Sequence, residues 1–244
     1  MNYIWALVLG ILQGFTEFLP VSSSGHLVLV QSLIPGFSQP GILFDVFLHF
    51  GTLFAVLFFF RKKIFKLSWK YVSYIVIATI PAVLIGFFLK DSIEILFSSV
   101  EIVGIALIIT GLLNFLTHKH KEEIKELDSK KSVFVGFIQG FAIIPGISRS
   151  GSTIFAGIKS GLSSKDAAEF SFLNSVPAIV GANVLEIYSS WGESINYVPY
   201  LIGFISAFIS GIFAIKLVLK FLEEKKFKIF AFYCLILGLI TLLI

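Results

Sequence analysis

This sequence has little charge, one cysteine and one methionine in 244 residues. Asp, Glu, Lys and Arg together make up only 14% of the chain, whereas 57% of the residues are hydrophobic. Soluble domains carry about 25% charged residues, so the composition excludes the soluble function classes. The single cysteine, Cys234, has no partner for an intrachain disulfide.

The net charge of +4 does not indicate a nucleic-acid partner, because the basic residues are confined to short segments beside apolar runs. Fifteen of the 19 Lys and Arg residues lie in 61–70, 119–131 and 216–228. In membrane proteins such clusters mark the cytoplasmic side. Residues 1–20 have neither a basic start nor a small-residue cleavage site, so we predict no removable signal peptide.

Long apolar runs are abundant. A bilayer crossing takes about 20 residues, and six runs approach or reach that length. They predict an all-α polytopic membrane protein whose partners are lipids. The predicted spans are 41–60, 71–89, 99–117, 168–188, 197–219 and 229–244.

One polar, glycine-rich segment occurs twice. Residues 10–25 and 136–151 align without a gap at an offset of 126, with seven identities in sixteen positions. Such self-similarity indicates an internal structural repeat. The identical pairs are Gly10/Gly136, Gln13/Gln139, Gly14/Gly140, Phe15/Phe141, Ser22/Ser148, Ser24/Ser150 and Gly25/Gly151.

The second copy cannot be a simple membrane crossing. When the three basic segments are placed in the cytoplasm, residues 132–158 begin and end on the cytoplasmic side. We therefore predict a re-entrant helical hairpin there, broken at Pro145-Gly146 and 148–151.

By the symmetry of the repeat, residues 1–33 form a second re-entrant hairpin, which enters from outside and breaks near Pro20 and 22–24. Each half then has one hairpin plus three transmembrane helices, an odd number of crossings, so the two halves have opposite orientation. Inverted repeats place their sites where broken helices meet near the midplane. The predicted organisation is one membrane domain, 1–244, with a first repeat 1–117, a cytoplasmic connection 118–131 and an inverted second repeat 132–244.

The first hairpin carries a charge that needs explaining. Glu17 is ionisable in a segment with no other charge, and an ionisable residue within a membrane is a functional candidate. Gln13 lies four residues earlier, on the same helical face. Gln13 is an equally good candidate for a hydrogen bond between helices.

Ser22, Ser23, Ser24 and His26 follow the Pro20 break. A serine there is explained by helix capping, but three serines and a histidine together favour chemistry. The free N–H groups of a half-helix over 23–33 form an anion site. His26 is three residues from Ser23, a spacing that suits a nucleophile and its base.

Arg149 is the strongest individual signal of the second hairpin. An arginine within a membrane needs an anion, and its planar fork suits phosphate oxygens. Ser148, Ser150 and Thr153 add hydroxyl donors at the start of the second half-helix. The structural alternative is an Arg149–Glu17 salt bridge between the repeats.

Three other ionisable residues are weaker candidates. Asp45 and Glu169 stand near helix starts that border the predicted site. His49 lies within a predicted span, where packing is the simpler explanation.

These motifs resemble the membrane undecaprenyl-diphosphate phosphatases, also called bacitracin-resistance proteins. Residues 13–26 are similar to the family's (Glu/Gln)-x-x-x-Glu motif and its Ser-Ser-x-Gly-His element. Residues 145–153 resemble its Pro-Gly-x-Ser-Arg-Ser-x-x-Thr motif, and 169–172 resemble its Glu-Phe-Ser-Phe segment. The resemblance extends over nearly the whole chain. Gln13 stands where other members carry glutamate, which leaves Glu17 with less carboxylate support for a metal.

The resemblance implies an enzyme of the bacterial inner (plasma) membrane that hydrolyses undecaprenyl diphosphate to undecaprenyl phosphate and inorganic phosphate. The product is the lipid carrier for cell-wall synthesis, and extra activity gives bacitracin resistance. The resemblance further implies a divalent cation, Mg²⁺ or Ca²⁺, held with Glu17 and Gln13, and a site open to the external face. It makes Ser23, His26, Glu17 and Arg149 catalytic. The expected substrate-binding residues are Gln13, Ser22, Ser24, Ser148, Ser150 and Thr153.

Two questions stay open on the sequence. Ser23 is the predicted nucleophile with His26 as its base, while a phospho-histidine, or a water activated by His26, is the competing mechanism. The alternative function is a transporter or flippase of a phosphorylated lipid, because inverted repeats are a transport architecture. The sequence leaves the oligomeric state open, with a homodimer as the candidate assembly.

Overall fold

The computed structural model describes residues 2–37, 39, 42–88, 96, 99–119, 126–189 and 196–243. Within these ranges the chain forms eleven α-helices and no strand. The predicted all-α class is confirmed. In chain order the helices are α1 Tyr3–Phe18, α2 Ser23–Ser32, α3 Leu43–Phe59, α4 Arg61–Ile64, α5 Trp69–Phe88, α6 Val100–Lys119, α7 Ser129–Phe141, α8 Arg149–Lys159, α9 Ser164–Ser189, α10 Tyr197–Glu223 and α11 Phe227–Leu243.

Each predicted span coincides with a helix, but the helices differ in how well they suit a bilayer. Helix α5, residues Val100–His118 of α6, and α10 are long and apolar enough to cross a membrane. Helices α3 and α11 are apolar but only 17 residues long. Helix α9 contains the run 168–188 and buries polar side chains along it. Parts of the predicted connections, 120–125 and 190–195, lie outside the described residues.

The two copies of the repeat each form a helix, a break and a second, shorter helix. The first break spans 19–22 and the second spans 142–148. Residues 149–151, which the sequence predicts within the second break, instead form the first turn of α8. The Ser148 side chain caps that turn, because its hydroxyl accepts a hydrogen bond from the Gly151 N–H at 3.1 Å.

The same capping occurs at the first break, with a more strained backbone. The Ser22 hydroxyl accepts a hydrogen bond from the Gly25 N–H at 3.3 Å, and Ser22 has a φ of 70°. A positive φ is uncommon for a residue with a β-carbon. In the second break the positive φ, 97°, falls on Gly146, which tolerates it freely.

Small residues let the repeat helices approach their neighbours closely. Helix α1 packs on α10, and α7 packs on α5. A β-carbon at Gly14 would lie 2.6 Å from the Ala207 carbonyl oxygen, and one at Gly136 only 2.3 Å from that of Ala78. Because these backbones touch, the helices that carry the breaks are firmly placed.

The two breaks also meet each other. A β-carbon at Gly25 would lie 3.0 Å from the Gly146 Cα. The Ser150 hydroxyl donates to the Leu19 carbonyl at 3.2 Å, and Asn114 of α6 donates its side-chain amide to the Pro20 carbonyl at 2.6 Å. The predicted meeting of the two broken segments is therefore observed.

The main hydrophobic core lies beside this junction. Phe18 at the end of α1 packs edge-on against Phe172 of α9, with ring centroids 5.4 Å apart. Ile154 of α8 and Val56 of α3 belong to the same buried cluster. The core thus holds the last turn of α1 and the first turn of α8 in place.

The connection before α7 ends in an ordered helix cap. The Asp128 carboxylate accepts a hydrogen bond from the Lys131 backbone N–H at 2.9 Å. This bond holds the pKa of Asp128 below its usual value.

Candidate active site

The Glu17 carboxylate is the centre of a buried polar cluster where the breaks meet. Its Oε1 lies 2.5 Å from an Arg149 guanidinium nitrogen. Its Oε2 accepts hydrogen bonds from the Ser23 hydroxyl at 2.7 Å and from the Gln13 amide at 3.0 Å. The His49 Nε2 lies 3.7 Å from the same oxygen. Glu17 is only 7% exposed, so its charge needs these partners.

The local fold explains how these groups converge. Gln13 and Glu17 are one helical turn apart on α1 and therefore share a face. The break after Phe18 turns the chain back, so that Ser23 in the first turn of α2 reaches the carboxylate. Arg149 is the first residue of α8, whose positive N-terminal end points into the cluster with that of α2.

Arg149 joins the two halves of the chain and still has donors to spare. Besides its bond to Glu17, it donates to the Ser171 carbonyl of α9 at 3.2 Å. A guanidinium has five N–H donors, and the contacts seen among the described residues use two. The salt bridge expected as the structural alternative is present, and it leaves Arg149 able to hold an anion.

The remaining serines and Thr153 line the junction in pairs. The Ser22 and Ser24 hydroxyls are 3.3 Å apart, and those of Ser148 and Ser150 are 3.2 Å apart. The Thr153 hydroxyl lies 2.6 Å from that of Ser171. Ser22 and Ser148 cap their helices, so their capping is observed while their predicted role in substrate binding stays a prediction.

His26 is held away from Ser23. Its Nδ1 lies 2.7 Å from the Ser22 carbonyl oxygen, and its Nε2 lies 2.6 Å from the Tyr233 hydroxyl. Among the described residues, the hydroxyl of Ser23 is therefore paired with Glu17 rather than with this imidazole. The sequence analysis missed Tyr233, because nothing in an apolar helix marks one tyrosine as a partner of His26.

His49 is the second residue that the sequence undervalued. Its Nδ1 lies 2.7 Å from the Asp45 carbonyl, one turn earlier on α3, which directs Nε2 toward Glu17. The Asp45 carboxylate itself accepts from the Gln31 amide at 2.6 Å. The sequence did contain a signal for this contact: His49 is a histidine within an apolar run, and Glu17 is a carboxylate within another.

Glu169 lies outside the cluster. It forms an ion pair with Lys63 of α4, the short helix that follows α3. Its place in a family-like segment therefore does not bring its carboxylate to Glu17.

The donor set fits a cation only in part. Among the described residues, no group of three His, Cys, Asp or Glu residues is placed to hold a metal ion. However, the Gln13 amide oxygen is buried and receives no hydrogen bond within the described part of the chain. Mg²⁺ is commonly bound by one or two carboxylates together with substrate phosphates. Glu17 and Gln13 suit a cation that a diphosphate helps to hold.

The second copy of the repeat has a polar cluster of its own, without charge. Gln139, the equivalent of Gln13, accepts a hydrogen bond from the Asn174 amide at 2.8 Å. Thr79 donates to the Asn174 side-chain oxygen at 3.2 Å. Among the described residues no carboxylate forms a hydrogen bond with this glutamine, and Ile143 occupies the position equivalent to Glu17.

The site of this helical membrane protein combines a buried arginine, a carboxylate and a serine with two helix N-termini. These groups are typical of a site that binds and transfers phosphate. Comparison with known sequences specifies the class. The family profile of the bacitracin resistance protein BacA matches residues 6–240, and the chain belongs to this family.

Curated relatives carry the name undecaprenyl-diphosphatase. The protein of Carboxydothermus hydrogenoformans is 44% identical over 256 residues, which cover all of this chain and 97% of the relative. That of Halothermothrix orenii is 42% identical and covers all of this chain and 98% of its own. That of Methanosphaera stadtmanae is 37% identical, with the same coverage.

Proposed function

We propose that the chain hydrolyses undecaprenyl diphosphate to undecaprenyl phosphate and inorganic phosphate. The observation that carries the proposal is the Glu17 carboxylate, which binds the Arg149 guanidinium through one oxygen and the Ser23 hydroxyl through the other. Glu17 thereby holds both the proposed anion-binding group, Arg149, and the proposed nucleophile, Ser23. The names of the relatives point to the same reaction. Release of the lipid carrier serves cell-wall synthesis and opposes bacitracin.

The proposed setting is the bacterial inner membrane, with the chain as one domain of two inverted repeats and the site open to the external face. The equivalence of the halves is supported by the helix order. At an offset of 126 residues, α1, α2, α3, α5 and α6 correspond in order to α7, α8, α9, α10 and α11. The pairing of α1 with α10 likewise corresponds to that of α7 with α5. In this arrangement the two breaks are the turns of re-entrant hairpins.

The proposed first step is attack of the Ser23 oxygen on the terminal phosphorus. The new bond joins the serine oxygen to phosphorus, and the bond from phosphorus to the bridging oxygen breaks, which releases undecaprenyl phosphate. The serine proton passes to Glu17, whose Oε2 already accepts the hydrogen bond. A carboxylate suffices as acceptor, because phosphoryl transfer has a loose transition state and relies mainly on positioning and charge neutralisation.

The proposed second step is hydrolysis of the phosphoserine. Water attacks phosphorus, the bond to the Ser23 oxygen breaks and inorganic phosphate leaves. Glu17 returns its proton to the Ser23 oxygen. The proton of the water passes to His26, whose basic atom is Nε2 because Nδ1 holds the ring hydrogen. A phospho-histidine is the competing intermediate.

Arg149 neutralises the phosphate oxygens in both steps. We further propose that Glu17 and the free amide oxygen of Gln13 help to hold a divalent cation, Mg²⁺ or Ca²⁺. When bound, that cation would screen charge on the diphosphate. The hydroxyl groups of Ser22, Ser24, Ser148, Ser150 and Thr153 complete the proposed phosphate-binding surface.

The test is phosphate release from undecaprenyl diphosphate by the purified chain in detergent, with Mg²⁺, with Ca²⁺ and with a chelator. We expect release with a cation and its loss with the chelator. Ser23→Ala should remove both activity and a trappable phosphoserine, whereas Ser160→Ala, at the far end of α8, is the matched control. A fully active Ser23→Ala variant contradicts the serine route, and absence of release with any cation contradicts the enzyme.

A further inference from the structure

Tyr233 makes a long-range contact with His26 that the reaction scheme does not yet use. The two residues are 207 positions apart, yet the tyrosine hydroxyl lies 2.6 Å from the imidazole Nε2. The two rings are nearly parallel, with an interplanar angle of 7° and centroids 5.6 Å apart. Both the hydroxyl and the ring of Tyr233 therefore constrain the imidazole.

The second partner of His26 defines where its hydrogen lies. A backbone carbonyl can only accept, so the short contact to Ser22 requires the hydrogen of a neutral imidazole to be on Nδ1. The unprotonated Nε2 then accepts the phenol hydrogen of Tyr233. A phenol is a neutral donor near pH 7, so it fixes the ring without giving it a charge.

Neighbouring contacts hold Tyr233 at this position. Cys234, the next residue of α11, is fully buried, and its thiol lies 3.8 Å from the Pro20 carbonyl of the first break. Phe230 and Val21 belong to the same buried cluster. Helix α11 is thus docked on the break that precedes His26, while Tyr233 remains 45% exposed.

We propose that Tyr233 is a catalytic residue that connects the attacking water to His26: the phenol oxygen takes the proton of the water while the phenol hydrogen moves to the His26 Nε2, with which it already forms a hydrogen bond. The inference rests on the proposed function. A side chain that transfers a proton in the reaction typically contributes about 100-fold or more to the rate. Because Tyr233 acts through His26, its loss lowers kcat and leaves KM nearly unchanged.

The test compares the full chain, Tyr233→Phe and the control Tyr200→Phe, all purified in detergent. Tyr200 is a suitable control because it packs edge-on against Phe44 of α3 and lies on a different helix from Tyr233. The first readout is kcat and KM for undecaprenyl diphosphate. For Tyr233→Phe we expect kcat to fall by about 100-fold with KM within about twofold of the original chain, and for Tyr200→Phe we expect no change.

The second readout does not need activity. Diethyl pyrocarbonate acylates unprotonated imidazole nitrogens, and mass spectrometry maps the modified residue. In Tyr233→Phe we expect His26 to react several-fold faster, because Nε2 has lost its hydrogen bond. The exposed His118 serves as an internal reference. The melting temperature of each variant shows whether it is folded.

Two results would overturn the proposal. One is a folded Tyr233→Phe variant whose kcat stays within twofold of the original chain, and the other is an unchanged rate of His26 modification. If the original chain itself releases no phosphate, the proposed function has failed. The modification rates then still decide whether Tyr233 holds His26.

Discussion

The two helix breaks have the same plan but different contents. At equivalent positions, Glu17, Ser23 and His26 lie in the helices beside the first break, while Ile143, Arg149 and Ser152 lie in or beside the second. The helices that follow differ as well. In α2 only Gly25, His26 and Leu27 are buried, whereas most of α8 is buried.

This difference separates two tasks. Beside the second break, Arg149 supplies one fixed positive charge on α8, which is packed on α9, α6 and α7. Beside the first break, the Glu17 carboxylate comes from α1, while the Ser23 hydroxyl and the His26 imidazole come from α2, which has fewer buried residues than α8. In the proposed mechanism, the second copy of the repeat therefore binds the phosphate and the first copy carries out the reaction.

The largest expected effect comes from removing the Arg149 guanidinium beside the second break. We expect Arg149→Ala to lower phosphate release by about 1,000-fold, because an arginine that neutralises a transferring phosphoryl group contributes about that much or more. It also leaves Glu17 as a buried, unpaired charge, so stability should fall too. Arg149→Lys, which keeps the charge but not the fork, should lose less. Half of the original activity in a folded Arg149→Ala variant would contradict the anion clamp.

The next effect comes from the carboxylate of the first break. We expect Glu17→Gln to lower kcat by about 100-fold, since a proton acceptor contributes about that much or more. The amide keeps the shape of the side chain, so the variant should fold. Steady-state kinetics in detergent measure the change. Near-normal kcat would show that Ser23 uses another acceptor.

A smaller effect is expected for the uncharged cluster of the second copy. Asn174→Ala leaves the buried oxygen of Gln139 without its donor, which costs about 1–3 kcal/mol of stability. Activity per folded molecule should stay within about threefold, because this cluster lacks a charge. Thermal unfolding in detergent gives the first quantity and initial rates give the second. A loss of kcat as large as that of Glu17→Gln would mean that both clusters take part in the chemistry.

The smallest expected effect is a difference in stability between glycine substitutions at the two helix N-caps, Ser22 and Ser148. Ser22 has a φ of 70°, whereas Ser148 has a φ of −72°. A glycine at a helix N-cap costs only a few tenths of a kcal/mol by itself, about 0.3, and at Ser22 the relief of backbone strain offsets this loss. We therefore expect Ser22→Gly to be more stable than Ser148→Gly. The reverse order of melting temperatures would show that strain at Ser22 is negligible.

Much of this arrangement follows from local patterns. The serines mark the starts of α2 and α8, since capping needs only a hydroxyl near the first free N–H groups. The meeting of Glu17 with Arg149 follows from charge, because neither is stable alone in an apolar interior. The repeat itself placed the two breaks opposite each other.

Contacts that depend on the packing of distant helices could not be predicted in the same way. The three-residue spacing suggested that His26 faces Ser23. However, a helical side chain leans toward the preceding turn, where the Ser22 carbonyl accepts a hydrogen bond from the His26 Nδ1. The contact with Tyr233 depends on how α11 docks. The approach of His49 to Glu17 likewise depends on the angle between α1 and α3, which no local pattern encodes.

The ion pair at the junction also bears on the order of synthesis. Glu17 leaves the ribosome 132 residues before Arg149. Until the second half arrives, its carboxylate has no guanidinium and is expensive to place in lipid. We therefore expect the first segment to reach its final position only after α8 has been inserted, so that the two halves mature together.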